Sequence, residues 1–292
     1  MVVPTVDRLA LLRRCLQALA AQDRAADEVV VVHDGAPGVT DVLATWDGRL
    51  PLTVLHSAQR GASGKRNAGW RATTAELVAF TDDDCAPAPG WLAALTATDG
   101  DLLHGPVAPH PDDAHVAAVF ARTLSVPAPN GHFPAANLAL RRTALEAVGG
   151  FDVRLSGGED TDLAWRVLEA GGRPAWVPDA LVHHAVRPAT FPQHLRSLWR
   201  WRALPEVVRR HPQLRQGLQA QVFWKGSHPV ALLALGALLT PWRRPAALAA
   251  LPLLLNHWRA RGPRWGTQTA VADVVEVAVV LLGSVRARSL LL

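Results

Sequence analysis

Residues 1–85 alternate four times between short apolar runs and segments with helical spacing, and this rhythm constrains the fold more than any other feature of the chain. Met1–Val6 reads as a strand. Leu9, Leu12, Leu16 and Leu19 then recur at helical spacing behind Asp7, a candidate N-cap. Glu28–His33 (EVVVVH) suits a strand buried on both faces, and the turn pair Asp34-Gly35 closes it. Val39–Trp46 reads as a helix, Leu52–His56 as a strand, and Ser63–Thr73 as a helix opened by the Gly-rich loop Gly61–Gly64. Glu76–Thr81 is a further strand that runs into Asp82-Asp83-Asp84. Such repetition predicts an α/β fold, a mostly parallel sheet with helices on both faces. Ligands of these sheets bind beyond the carboxyl ends of the strands, and His33-Asp34 and Asp82–Asp84 both fall there.

Further along, Asp101–Val107 and Pro174–Val177 read as strands, and Gly158–Ala170 as a helix that starts on Glu159-Asp160. After Arg187 the composition shifts. Residues 187–225 carry seven arginines and Lys225 against one acid, Glu206. Three apolar stretches follow, Val230–Leu239, Ala246–Leu255 and Val274–Leu282. A membrane-spanning helix needs about 20 apolar residues, so none spans alone. Joining the first two would bring Arg243 and Arg244 near the bilayer centre, with Pro241 and Pro245 interrupting the run. The expectation is a shallow hairpin with Trp242 and the arginine pair at headgroup level; the bland alternative is a set of ordinary buried helices. Val274–Leu282, with Asp273 and Glu276, reads as amphipathic or packed on the domain formed by residues 1–190. The chain's 292 residues therefore divide into residues 1–190, in halves 1–100 and 101–190, and a basic, apolar, helical appendage at 191–292.

Composition supports a membrane contact: 49% of residues are apolar, only 19% are charged, and the formal net charge is +5. The positive charge is either a compositional habit or suits anionic lipid, a phosphate-bearing substrate or nucleic acid. Nucleic acid is not expected, because no recognisable binding motif is present and the chain has no tyrosine. Two cysteines, Cys15 and Cys85, are too few for a disulfide framework, and the first strand leads at once into Asp7, Arg8, Arg13 and Arg14 rather than into a secretory signal. The expected location is cytoplasmic, at the inner face of the membrane.

Three carboxylates at a strand end repel one another, and a divalent cation with a taste for oxygen ligands, Mn2+ or Mg2+, relieves that repulsion. The alternative for Asp82–Asp84 is a solvated acidic turn. Gly61–Gly69 (GASGKRNAG) offers helix N-terminal N–H groups with the charges of Lys65 and Arg66 to a phosphate. Helix starts favour acids in any case, but Glu159 or Asp160 placed there is also a candidate general base. His183-His184 adds a candidate metal ligand, with a purely structural histidine pair as the alternative.

Taken in order, VVPTVDR, His33-Asp34-Gly35, GKRNAGW, FTDDDC, PGW, NLALRR, GGFD, GGEDTDLAWR and PDALVHH resemble the family 2 glycosyltransferases, over about residues 1–190. The resemblance implies a GT-A, Rossmann-like fold and transfer of a sugar, with inversion, from a nucleoside-diphosphate donor to a glycan, lipid-linked or small-molecule acceptor. It implies that Pro4, Thr5 and Asp34 line the nucleoside pocket, and that Lys65, Arg66 and Asn67 contact base and diphosphate. Asp82 and Asp83 fall on the donor side, with Asp82 at the ribose or metal shell. Asp84 binds the metal, with Asp82 and His184 as further ligands. Asn137 faces the acceptor. Asp160 is the base, with Glu159 beside it. Two departures matter. Many members carry two acids where this chain has His33-Asp34. The Q-x-x-R-W element of processive synthases is only echoed in Gln193–Trp201, so single transfers are expected. The rival functions are a nucleotidyltransferase on a similar sheet and a non-catalytic membrane-surface module.

Overall fold

The computed structural model describes residues 1–59, 61–116, 118–238 and 243–292. The chain forms two compact units. The first holds Met1–Ala117, Ala121–Arg154 and Glu159–Arg187; the second holds Ala118–Phe120, Leu155–Gly158 and Pro188–Leu292.

In the first unit β1 (Val2–Pro4), α1 (Leu9–Ala20), β2 (Val29–His33), α2 (Val39–Ala44), β3 (Leu52–His56), α3 (Ala62–Ala72) and β4 (Leu77–Phe80) follow the predicted alternation. Then come β5 (Cys85–Pro87), α4 (Trp91–Ala97), β6 (Leu102–His104), β7 (Val107–Pro109), β8 (Leu138–Arg141), α5 (Arg142–Val148), α6 (Glu159–Glu169), β9 (Pro174–Trp176) and β10 (Val182–His184). Seven strands form one sheet in the order β3-β2-β1-β4-β8-β6-β9. Only β8 runs against the others, pairing antiparallel with both β4 and β6. A smaller sheet has the order β5-β10-β7.

The valine run explains itself. Successive strand residues face opposite ways, so Val29 and Val31 enter one core with Leu12, Leu16 and Trp91. Val30 and Val32 enter the other with Trp70, Phe80 and Leu163. A sheet covered on both faces needs an unbroken apolar run. The buried face of α1 is Leu12, Cys15, Leu16 and Leu19. Its N-cap is Arg8, without a side-chain cap, and Asp7 is exposed, which corrects the expected Asp7 cap.

The expected strand Asp101–Val107 is two strands in different sheets. It breaks at Gly105-Pro106: a Cβ on Gly105 would meet the Val177 carbonyl oxygen at 2.8 Å, and Pro106 has no N–H to continue a ladder.

The second unit is helical: α7 (Phe191–Leu198), α8 (Leu204–Arg210), α9 (His228–Leu238) and α10 (Arg243–Ala287). Thr190 and Gln193 close a capping box on α7. α10 bends at Gly262, where φ is 75°, immediately before Pro263; glycine enters that left-handed region without strain, and proline restarts a helix. Ala231, Leu253, Ala270 and Val277 form the core that joins α9 to both halves of α10. Asp273 and Glu276 turn into this unit, where Asp273 meets His257 at 2.9 Å and Glu276 meets Lys225. The stretch Val274–Leu282 is thus packed within the appendage. Residues 239–242, which include Pro241 and Trp242 of the expected hairpin tip, lie outside the described residues. Among the described residues no helix is long and apolar enough to cross a membrane.

Candidate active site

The acidic triplet leaves β4 and turns directly into β5, so its three carboxylates diverge. Asp83 points inward, fully buried. Its Oδ2 accepts from the Thr5 hydroxyl at 2.7 Å and from the Val6 N–H at 3.3 Å, and its Oδ1 accepts from Arg8. Burial pushes its carboxyl above the ordinary range, against the pull of Arg8. Asp82 points to α3, where Arg66 donates to it at 2.6 Å. Burial works against its charge, but the Arg66 guanidinium outweighs that and holds the carboxyl below the ordinary range. Asp84 divides its oxygens. Oδ2 takes Arg8 and, at 3.3 Å, Arg187; Oδ1 faces His184 Nε2 at 3.6 Å.

His184 reaches Asp84 because β10 pairs antiparallel with β5, placing His184 opposite Cys85. Alternation along β10 sends the neighbouring His183 the other way, towards the His110 ring. His184 Nδ1 lies 2.9 Å from the Ala185 carbonyl. A carbonyl only accepts, so this contact puts a ring proton on Nδ1, and Nε2 is the nitrogen that faces the carboxylate oxygen. Asp84, Cys85 and His184 bring one ligand atom each within 4.8 Å of one another. Oxygen and imidazole nitrogen fit Mn2+ or Mg2+. Cys85 does not suit so hard an ion, because burial first, then the nearby carboxylates, raise its thiol well above the usual range and keep the proton on.

α3 supplies two cations in its first turns. Lys65, buried, donates to the Thr5 carbonyl and to Asp34, each at 2.7 Å. The hydrogen bond from Lys65 holds Asp34 below the ordinary carboxylate range. Arg66, also buried, bridges Asp82 to Glu159 Oε1, the latter at 3.2 Å, above the Phe151 ring. Burial and then the neighbouring Asp160 push the Glu159 carboxyl up, despite Arg66. Asp160 is held by two backbone N–H groups, from Ala135 at 3.1 Å and Thr161 at 2.8 Å.

The structure therefore brings Asp34, Lys65, Arg66, Asp82, Asp84, Glu159, Asp160 and His184 into the region at the carboxyl ends of the parallel strands. Pro4 ends β1 there, buried and paired with Val32. Four of the expected contact residues are engaged as internal braces in this structure. Thr5 is bound to Asp83 and Lys65. Asp83 itself is turned inward by Thr5 and Arg8. The Asn67 amide donates to the Phe151 carbonyl at 2.8 Å and accepts from the Phe151 N–H and the Trp70 indole, pinning the loop before α6. Asn137 is fully buried, donates to the Pro106 and Ala180 carbonyls at 2.9 and 2.7 Å, and accepts from the Trp91 indole at 2.8 Å. Sequence reasoning missed Arg8 and Arg187 at Asp84. The only hint was the arginine in VVPTVDR.

One cavity, about 980 Å³, lies at the opposite edge of the sheet, lined by Met1, Glu28, Thr53, Thr73 and Glu76 among others. It holds none of the groups above, and the amino ends of parallel strands are not where such folds bind ligands.

The profile of "Glycosyl transferase family 2" matches residues 1–101, and that of "Glycosyl transferase family group 2" matches residues 110–259. A pre-mycofactocin glycosyltransferase of Mycobacterium tuberculosis is 31% identical over 201 residues, covering 63% of this chain and 42% of the relative. The chain thus spans about two fifths of that relative's length. A validoxylamine A glucosyltransferase of Streptomyces hygroscopicus subsp. jinggangensis is 28% identical over 269 residues, 76% of this chain and 62% of the relative. Among solved structures, the mannosyltransferase PcManGT from Pyrobaculum calidifontis, in complex with GDP-Man and Mn2+, matches with a TM-score of 0.63 at 22% identity, over 96% of this chain and 86% of that one. That likeness is one of fold.

Proposed function

We propose that this chain, which belongs to glycosyltransferase family 2, moves a sugar from a nucleoside-diphosphate donor to an acceptor hydroxyl with inversion at the anomeric carbon. The observation that carries the reading is the pair of acceptors Asp84 Oδ1 and His184 Nε2, 3.6 Å apart at a strand end and beside a buried lysine and arginine. With Nδ1 turned to the Ala185 carbonyl, Nε2 and Asp84 Oδ1 are the two atoms available to hold a cation between them. A divalent ion held there, Mn2+ or Mg2+, supplies positive charge against the negative charge that builds on the departing diphosphate. Lys65, Arg66 and the first N–H groups of α3 add fixed positive potential on the same side, set before the donor arrives. Asp160, held by two backbone N–H groups and in no direct ion pair among the described residues, takes the proton of the acceptor hydroxyl. That oxygen bonds to the anomeric carbon as the bond from carbon to the diphosphate oxygen breaks on the opposite face, so configuration inverts. Glu159, tied to Arg66, positions that arginine. Much of the rate advantage is positioning.

The acceptor is a glycan, a lipid-linked saccharide or a small molecule, and transfers are single. Residues 188–292 carry 14 basic against 3 acidic side chains, whereas residues 1–187 carry 16 against 22. The second unit also exposes Leu233, Leu248 and Val285, each by more than 60%. Both features support attachment of this unit to an anionic membrane surface, where each basic residue contributes about 1 kcal/mol.

The deciding experiment incubates the protein with a panel of nucleotide sugars and Mn2+, with chelator controls, and measures released nucleoside diphosphate. A nucleotidyltransferase would release no nucleoside diphosphate here and would instead form pyrophosphate from a nucleoside triphosphate and a sugar 1-phosphate, a pair run alongside. Product NMR reads the anomeric configuration, and retention would refute the inverting mechanism.

A further inference from the structure

The metal ligand Asp84 already has cations on it. Arg8, the residue just before α1, spans two carboxylates with its guanidinium fork: one nitrogen donates to Asp83 Oδ1, the other to Asp84 Oδ2. Arg187 reaches the same Asp84 oxygen at 3.3 Å. Asp82 is matched by Arg66 and Asp34 by Lys65. Each carboxylate of the triplet therefore has a guanidinium partner, and the repulsion that a divalent ion relieves is already relieved by arginine. A metal arriving alone meets two uncompensated positive groups at its principal ligand. A metal arriving with a diphosphate brings the anionic oxygens that Arg8 and Arg187 can turn to, since arginine forks suit phosphate as well as carboxylate.

We propose that Arg8 is the resident counter-ion of the Asp83–Asp84 pair, so that metal and nucleoside diphosphate bind as a pair and the metal alone binds weakly. This rests on the reading of Asp84 as metal ligand. Arg8 fits the role by its place. Its side chain keeps 27% exposure, enough to swing outward, whereas Arg66 at 5% is locked in. Arg8 acts as a positioning residue through the carboxylates it holds. Removing a ligand-orienting brace weakens metal binding; removing a competing cation strengthens it. The sign of the effect separates the two roles.

The test is Mn2+ titration of the full chain, by calorimetry or by the EPR signal of free Mn2+, without nucleotide and then with UDP or GDP. Arg8→Gln is expected to bind Mn2+ alone about tenfold more tightly than wild type, the scale of one charge-assisted hydrogen bond lost by the competitor. With nucleotide bound, Mn2+ affinity is expected to stay near wild type, so its enhancement by nucleotide shrinks by the same factor, and by reciprocity so does the enhancement of nucleotide affinity by Mn2+. Arg8→Lys keeps one charge without the fork, falls in between, and carries the test should Arg8→Gln not fold. The gain disappears in Arg8→Gln/Asp84→Asn. Mn2+ affinity in Arg8→Gln or Arg8→Lys equal to or weaker than wild type overturns the proposal. If Asp84→Asn alone abolishes binding while Arg8→Gln changes nothing, only the role of Arg8 fails. If Asp84→Asn binds Mn2+ as wild type does, or no variant binds it under any condition, the metal reading fails and the proposal goes with it.

Discussion

Arg66→Met removes the one cation shared by Asp82 and Glu159. The arginine side chain is 5% exposed, and its partners lie at 2.6 and 3.2 Å. Deleting one partner of a buried ion pair costs about 3–5 kcal/mol. Here the carboxylate side chains keep 24% and 18% exposure, so water can reach them and the low end applies, about 3 kcal/mol at pH 8. The penalty depends on pH with a definite sign. In the wild type Arg66 holds Asp82 below its ordinary range, so this group's contribution is present above the unfolded carboxylate pKa and is lost as pH falls through the folded one. Without Arg66, burial is left as the leading influence on Asp82, and Glu159, already raised by burial and Asp160, rises further. Both carboxyls then prefer the proton in the folded state. Their contribution is fully present below the unfolded carboxylate pKa, about 4, and is lost as pH rises through the folded values. The gap between wild type and variant therefore narrows from pH 8 to pH 5. Urea unfolding in chelator, followed by tryptophan fluorescence at both pH values, measures it. A gap that is the same at both pH values, or smaller than about 1 kcal/mol at pH 8, would refute the charge argument. Adding Glu159→Gln to the variant should recover part of the loss at pH 8 and little at pH 5.

Asp160→Asn keeps the shape but removes the proton acceptor: transfer should fall by about two to four orders of magnitude with donor affinity nearly unchanged. Near-normal transfer would move the base to Glu159. Asn137→Ala leaves three buried groups without their hydrogen bonds, so a loss of about 3 kcal/mol or more is expected in urea unfolding, and unchanged stability would undo its assignment as a brace. Sedimentation with anionic liposomes should carry the full chain into the pellet at low salt and release it as salt rises. Protein that stays in the supernatant at low salt disposes of the membrane reading.

The features legible in the sequence are those set by local pattern. The run EVVVVH reads as a doubly covered strand because covering both faces demands that run. Asp82–Asp84 reads as a site because three adjacent carboxylates are conspicuous. The strands β5, β7, β8 and β10 have three or four residues each, too short for periodicity to declare, so the small sheet and the single reversed strand went unread. The internal partners of Asn67 and Asn137 went unread for a related reason. A fully engaged amide and a ligand-facing amide look alike in sequence, and the partners of Asn137 lie 31 to 46 residues away. Arg8 meets Asp83 and Asp84 across 75 and 76 residues of chain, a pairing made by the sheet and invisible to any local window.

The reversed strand β8 has a consequence for how this protein can change. β6 and β8 are antiparallel neighbours, with His104 opposite Leu138, so residues 105–137 leave the sheet and return to it at adjacent points. The entropy of closing such an excursion grows only slowly with its length. Between β7 and Phe133 its sequence can therefore lengthen, shorten or be exchanged while β6, β7 and β8, and the carboxylates and cations built on β2, α3 and β4, stay in register. Ala135, whose N–H holds Asp160, sits near the return point, so a rewritten excursion would keep its grip on the base. Sequence change is thereby cheapest within one segment, with the rest of the sheet inherited intact.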